Sequence, residues 1–185
     1  MQPNWFCDVE IRPTSLSRPM AASAVARIMH GAFRKHPGRY ALAMPGQRQG
    51  PHSVLRVFAY SRDELDTLID NIREAKALRE QAVIHYPRAV PEGYSGAWSI
   101  YQRFRIPARR SERIPGRSVR LKRVQEANAN ELPFFQMKSE SNGGRFRLYW
   151  EKLSYTGTTP SNDESVPDSW GLSTTTKPVP LPDLS

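Results

Sequence analysis

The sequence predicts an α+β protein with an N-terminal βαββαβ half and a C-terminal half that joins an arginine-rich segment to a β-hairpin. Three observations carry that expectation. Trp5 to Arg12 alternates strictly, with Trp5, Cys7, Val9 and Ile11 on one face and Phe6, Asp8, Glu10 and Arg12 on the other. Two later segments switch to helical spacing, and a Gly-Gly turn separates two further apolar runs near residue 143. The 16 prolines among 185 residues argue for many breaks and against a helix bundle.

Taken in order, the first strand ends at Pro13. From about Pro19 to Lys35, Ala22, Val25, Ala26, Met29 and Phe33 recur at helical spacing, and His36-Pro37-Gly38 stops the helix. Tyr40 to Met44 and Ser53 to Tyr60 read as strands joined by a Gly/Pro/Gln-rich loop that contains His52. Ser61-Arg62-Asp63-Glu64 is a capping box opening a helix whose apolar stripe is Leu65, Leu68, Ile69 and Ile72. Ala82 to Tyr86 completes a βαββαβ order over residues 1–90, the split βαβ arrangement of ferredoxin-like and RRM-like domains. No RNP aromatic signature accompanies it, which disfavours a standard single-strand RRM. Pro87 to Gly96 is turn-rich and reads as a domain boundary. The second domain, 97–185, begins with an extended run from Trp98 to Arg105. Ser118 to Ala127 can be helical, and Phe134 to Ser139 pairs with Arg145 to Lys152. Ser154 to Asp168 is polar and is expected to be mobile.

Charge narrows the function. The chain carries a formal +9, and eight of those nine net charges fall between Tyr101 and Arg123. That segment holds Arg103, Arg105, Arg109, Arg110, Arg113, Arg117, Arg120, Lys122 and Arg123 against the single anion Glu112. Arginine's planar fork suits phosphates and guanine edges, so this concentration points to nucleic acid. Other classes recede. Cys7 is the one cysteine, too few for a disulfide or zinc framework, and reads as a small buried strand residue. The histidines, His30, His36, His52 and His85, lack metal-ligand spacing, and no Walker loop or Gly-x-Ser-x-Gly elbow occurs. Any catalysis must come from ordinary side chains, with no metal and no cofactor. The start shows no signal-peptide pattern, and no apolar run approaches the ~20 residues that span a bilayer, so a cytoplasmic protein is expected. His30 stands beside the apolar stripe of the first helix. Its spacing alone favours a boundary histidine satisfied by a neighbour.

An ordered set of motifs in the C-terminal third changes that weighting: Leu132-Pro133-Phe134-Phe135, Lys138-Ser139-Glu140-Ser141, Arg145-Phe146-Arg147-Leu148, Trp170-Gly171-Leu172-Ser173 and Pro178-Val179-Pro180. The set resembles the type I-F CRISPR repeat endoribonuclease family. The match is dense over 132–150 and 169–180 and looser through the first strand and the Met29-His30 helix. The resemblance implies an endoribonuclease that binds a hairpin of CRISPR repeat RNA and cuts at its base. It would then stay on the crRNA with the other subunits of a type I-F surveillance complex (Cascade). It implies His30 as the catalytic histidine and Ser139 as the serine holding the attacking ribose. Ser141 becomes a nearby RNA contact, and Phe146 an aromatic stacked beneath the terminal base pair. Arg103 becomes a major-groove base reader, with Arg105 at a second reader position where relatives often carry glutamine. The remaining cations of the segment would line phosphates, and Lys138 would stabilise the charged phosphorane. Trp170 replaces the family tyrosine. Indole keeps the stacking area but cannot accept or lose a phenolic proton, which leaves Trp170 an orienting role toward His30.

The chemistry suits these residue types. The 2′-hydroxyl attacks the adjacent phosphate and leaves a 2′,3′-cyclic phosphate and a 5′-hydroxyl. An imidazole removes the proton and a serine aligns the oxygen. Two alternatives remain open: a hairpin-binding subunit that does not cut, and a basic structural protein of a ribonucleoprotein particle.

Overall fold

The computed structural model describes residues 3–12, 15–46, 50–107, 119–139, 143–157 and 165–184. Among these residues, two antiparallel sheets and four helices make an α+β fold. The first sheet takes β1 (Trp5–Ile11), β2 (Ala41–Ala43), β3 (Val54–Ala59) and β4 (Ala82–Ile84) in the order β2-β3-β1-β4. A short β5 (Arg88–Ala89) also pairs with β1, placing Arg88 opposite Phe6. The second sheet takes β6 (Trp98–Phe104), β7 (Phe134–Lys138), β8 (Arg145–Tyr155) and β9 (Pro180–Pro182) in the order β7-β8-β6-β9. Every pairing between these strands is antiparallel.

Helix α1 (Arg18–Lys35) starts with proline in its first turn, where no intrahelical N–H bond is lost. It buries Ala22, Val25, Ala26, Met29 and Phe33, the expected stripe. The capping box at Ser61 opens α2 (Arg62–Ile72): Glu64 N–H donates to Ser61 Oγ while the Glu64 carboxylate accepts from Ser61 N–H. A short α3 (Lys76–Gln81), which carries no sequence signal of its own, delivers the chain to β4. Helix α4 (Val119–Ala129) packs by Ala127 against Phe104 and Tyr149. One contiguous apolar cluster joins Met29 and Phe33 of α1 and Val57 of β3 to Phe135, Met137, Leu148 and Trp150 of the second sheet. Among the described residues, no helix is long and apolar enough to cross a membrane.

Three local features go beyond the sequence reading. Phe6 and Asp8, on the strand face opposite Cys7, Val9 and Ile11, are buried as well. Asp8 lies directly across from Arg56 in the β1–β3 register. Arg56 Nε and Nη2 donate to the two Asp8 oxygens at 2.6 and 2.9 Å, and Arg88 Nη2 adds a third bond at 2.8 Å. The two guanidiniums lie over the Phe6 ring, each 4.7 Å from its centroid. Arg56 Nη1 donates to the Leu184 carbonyl, so residues from the far end of the sequence close over this face. The stretch Pro87 to Gly96 contains β5 and is therefore partly built into the first sheet. Ser154 and Tyr155 extend β8, and Ser165 and Pro167 are buried, so the expectation of a mobile stretch fails for the described part of 154–168.

Candidate RNA-cleaving site

Helix α1 carries His30 beside the fully buried Met29, at the edge of its apolar stripe, with the imidazole half-buried. The partner of that ring is a turn from the far end of the chain. Asp168 Oδ1 accepts from Trp170 N–H at 2.8 Å and Leu172 N–H at 3.0 Å, an Asx-type turn. Asp168 N–H donates to the Leu172 carbonyl and Gly171 N–H to the Asp168 carbonyl. Gly171 has φ +78°, and its carbonyl accepts from Leu42 N–H of β2 at 2.7 Å. Ser173 bonds by its backbone to Tyr101 and Arg103 of β6. The turn is thus pinned to both sheets.

It presents two groups to His30. The Ser169 carbonyl lies 2.6 Å from Nδ1, and the Trp170 ring stacks on the imidazole at 3.5 Å with 6° between planes. A carbonyl oxygen only accepts, so Nδ1 carries the hydrogen. The basic lone pair of the neutral ring is then on Nε2.

A cleft of about 910 Å³ opens at one end of the second sheet. Arg103, Arg105, Arg120, Arg145 and Arg147 line it together with Ser139 and Phe146, and its described lining contains no carboxylate. Phe146 is 38% exposed, an unusual state for a phenylalanine whose strand neighbours Leu148 and Trp150 are buried. Ser139 sits where β7 gives way to the hairpin turn, its N–H donating to the Gly144 carbonyl at 2.8 Å. Arg103 connects the cleft to the histidine's turn, since its Nη1 lies 3.5 Å from Asp168 Oδ2.

The fate of each candidate follows from these contacts. His30 and Trp170 meet directly, while Ser139, Phe146, Arg103, Arg105 and Arg120 share the cleft. Arg120 also donates to the Pro107 carbonyl at 2.7 Å, which fixes its stem. Arg123 is engaged inside the protein: its guanidinium lies 3.6 Å from the Phe104 ring centroid, bonds the Arg105 carbonyl and pairs with Glu126. Lys122 and Lys138 are exposed, and neither lines the cleft. Arg109, Arg110, Arg113, Arg117 and Ser141 lie outside the described residues. Sequence reasoning passed over Arg145, Arg147, Asp168 and Ser169. Alternation about Leu148 places the two arginines on the strand face that they share with Tyr149, to whose hydroxyl Arg147 donates. An aspartate two residues before Trp-Gly is an Asx-turn signal. Among the described residues, no group of three or more His, Cys, Asp or Glu side chains is arranged to hold a metal ion.

Comparison with known proteins adds the following. A family model described as CRISPR-associated protein (Cas_Csy4) matches residues 6–181. No curated protein matches. A solved structure described as "Crystal structure of Putative Chlorite dismutase TA0507" is 11% identical over 80% of this chain and 78% of its own, with a TM-score of 0.31, a likeness too slight to carry an argument.

Proposed function

The chain belongs to the Cas_Csy4 family of CRISPR-associated proteins, whose work is the processing of CRISPR repeat RNA, and from that premise we propose that it cuts a repeat hairpin at the stem base by 2′-hydroxyl attack. His30 carries the reading. With Nδ1 committed to the Ser169 carbonyl, neutral His30 offers Nε2 to take the 2′ proton. The 2′-oxygen then attacks the adjacent phosphorus, the bond to the 5′-oxygen breaks, that oxygen takes a proton from solvent, and the products are a 2′,3′-cyclic phosphate and a 5′-hydroxyl. The reaction needs no metal, because the RNA supplies its own nucleophile and the protein supplies the base. Ser139 holds the attacking ribose, a proximity effect. Phe146 offers its exposed ring as a stacking platform under the last base pair. Arg103 and Arg105 read base edges at the open end of the stem, and Arg120, Arg145 and Arg147 take phosphates. The strand order β2-β3-β1-β4 supports reading residues 1–90 as a ferredoxin-like platform, with 97–185 as the RNA-binding half. After cutting, the protein stays on the crRNA as a subunit of a type I-F surveillance complex in the cytoplasm, a role the family resemblance supports.

The test is incubation with the repeat hairpin in EDTA, with wild type, His30→Ala and a substrate 2′-deoxy at the cut nucleotide. We expect one cut at the stem base by wild type. His30→Ala and the deoxy substrate should each give tight binding and no cleavage. Binding without cutting by wild type would replace this reading with a non-cleaving hairpin-binding subunit.

A further inference from the structure

We infer that Asp168 is a positioning residue that couples the RNA-facing arginine Arg103 to the alignment of His30. The inference rests on the proposed cleavage function and goes beyond it, because Asp168 does not touch the imidazole and meets the cleft only through Arg103. Its two carboxylate oxygens do separate work. Oδ1 accepts from the N–H groups of Trp170 and Leu172 and so shapes the turn that clamps His30 through the Ser169 carbonyl and the Trp170 ring. Oδ2 is buried and has no hydrogen-bond partner among the described residues; the nearest cation is Arg103 Nη1 at 3.5 Å.

That distance is the informative feature. It is close enough for a strong Coulombic pull in a partly buried setting and too long for a hydrogen bond. A buried carboxylate oxygen left in that state gains from any event that draws the guanidinium into line. Arg103 is anchored at its other end, its backbone N–H donating to the Ser173 carbonyl at 3.0 Å, which ties the arginine's backbone to the loop that follows the Trp170 turn. When RNA fixes the outer edge of the Arg103 fork, the inner edge can close on Oδ2. The carboxylate is then fully bonded and the turn under His30 is stiffened. Binding of the correct stem end thereby raises the fraction of imidazole held for proton abstraction.

Two substitutions separate the two oxygens. Asp168→Asn can keep an acceptor toward the two N–H groups, but it then turns an amide N–H₂ toward Arg103, donor against donor. Asp168→Ala removes both functions. The measurements are hairpin affinity, single-turnover cleavage with protein in excess, and the ¹⁵N spectrum of the His30 ring. We expect Asp168→Asn to bind the hairpin roughly tenfold more weakly, to keep the Nδ1–H tautomer and, having lost the Arg103 closure, to cut bound RNA about three- to tenfold more slowly than wild type. Asp168→Ala should lose that tautomer preference and cut bound RNA roughly 10- to 100-fold more slowly. Arg103→Ala should weaken binding less in the Asn background than in wild type, the mark of coupled residues. Equal loss of affinity and rate in both Asp168 variants, with His30's spectrum unchanged, would reduce Asp168 to a fold residue and overturn the inference. Failure of wild type to cut would overturn the proposed function, and the ring spectrum would still decide whether Asp168 positions His30.

Discussion

Replacing Trp170 with alanine removes the ring that stacks on the His30 imidazole, and the size of the effect can be worked from the geometry. The rings are parallel within 6° and 3.5 Å apart, and a stacked aromatic pair contributes ~0.5–1.5 kcal/mol beyond simple burial. At ~1.4 kcal/mol per tenfold, losing it lowers the fraction of correctly held imidazole by about 2- to 12-fold. The bond from Nδ1 to the Ser169 carbonyl survives, so the tautomer and the pH dependence should not move. His30→Ala, by contrast, removes the base and costs roughly 10²–10⁴-fold. Trp170→Tyr keeps a stacked ring and should stay within about threefold of wild type, since the proposed chemistry asks no proton of this position. The assay is single-turnover cleavage of the hairpin with protein in excess, with affinity measured separately. An alanine variant as fast as wild type would show that the stack orients nothing. One as slow as His30→Ala, with an unchanged melting temperature, would put the indole in the chemistry.

Three further outcomes follow from the same contacts. Arg56→Met strands the Asp8 carboxylate with Arg88 alone and leaves the Leu184 carbonyl unpartnered, and should cost about 3 kcal/mol or more in urea unfolding; a loss under about 1 kcal/mol would mean solvent reaches the pair. Burial pushes the His52 pKa below the ordinary imidazole value, against the opposing bond from Nε2 to the Phe134 carbonyl. The unfolded chain therefore takes up this proton first, so the stability His52 contributes is complete above about pH 6.5 and falls as the pH drops toward the lowered value. In His52→Gln the slope of stability between pH 5 and 7 should flatten, and an unaltered slope would refute the assignment. Gly171→Ala would place a methyl 2.9 Å from the Phe33 ring and 3.0 Å from Leu42 N at a left-handed φ, with a cost on the order of 1–3 kcal/mol and cleavage at least as slow as in Trp170→Ala; a wild-type melting temperature and rate would contradict it.

Much of this architecture is legible in the sequence because its causes are local. The capping box at Ser61, the Ala22-to-Phe33 stripe and the hairpin about Gly143 depend on residues within one or two turns of each other. The parts that escape are those whose cause is remote. Alternation says that Asp8 shares a face with Phe6 and Glu10 but not that the face is covered, and the return of Leu184, 128 residues beyond Arg56, helps to close it. Pro180-Leu181-Pro182 discourages a strand by composition, yet β9 lies at the edge of its sheet, where proline's missing donor costs least. In the site, His30, Ser139, Phe146 and Trp170 come from a resemblance of ordered motifs. His30's spacing alone predicts an ordinary boundary histidine, and the structure does give it neighbours that satisfy it. The group that sets its tautomer is a backbone carbonyl, which no residue type announces. Arg123 shows the limit of composition: counted with the other cations, it also lies over Phe104 and pairs with Glu126, contacts that its residue type does not announce.

The distance in sequence between His30 and Ser169 has a consequence for how the protein is made. The imidazole and the carbonyl that orients it are separated by 139 positions. At ~5–20 residues per second, a ribosome takes roughly 7–30 s to travel between them. Throughout that interval the emerging chain carries its histidine with neither the carbonyl nor the indole, and the first sheet lacks the Leu184 carbonyl that completes its arginine. On the proposed cleavage reading, a nascent chain stays unarmed toward RNA, including the message from which it is being read, until residues 168–172 have left the tunnel. On that reading, late pairing acts as a built-in delay on the proposed cleavage.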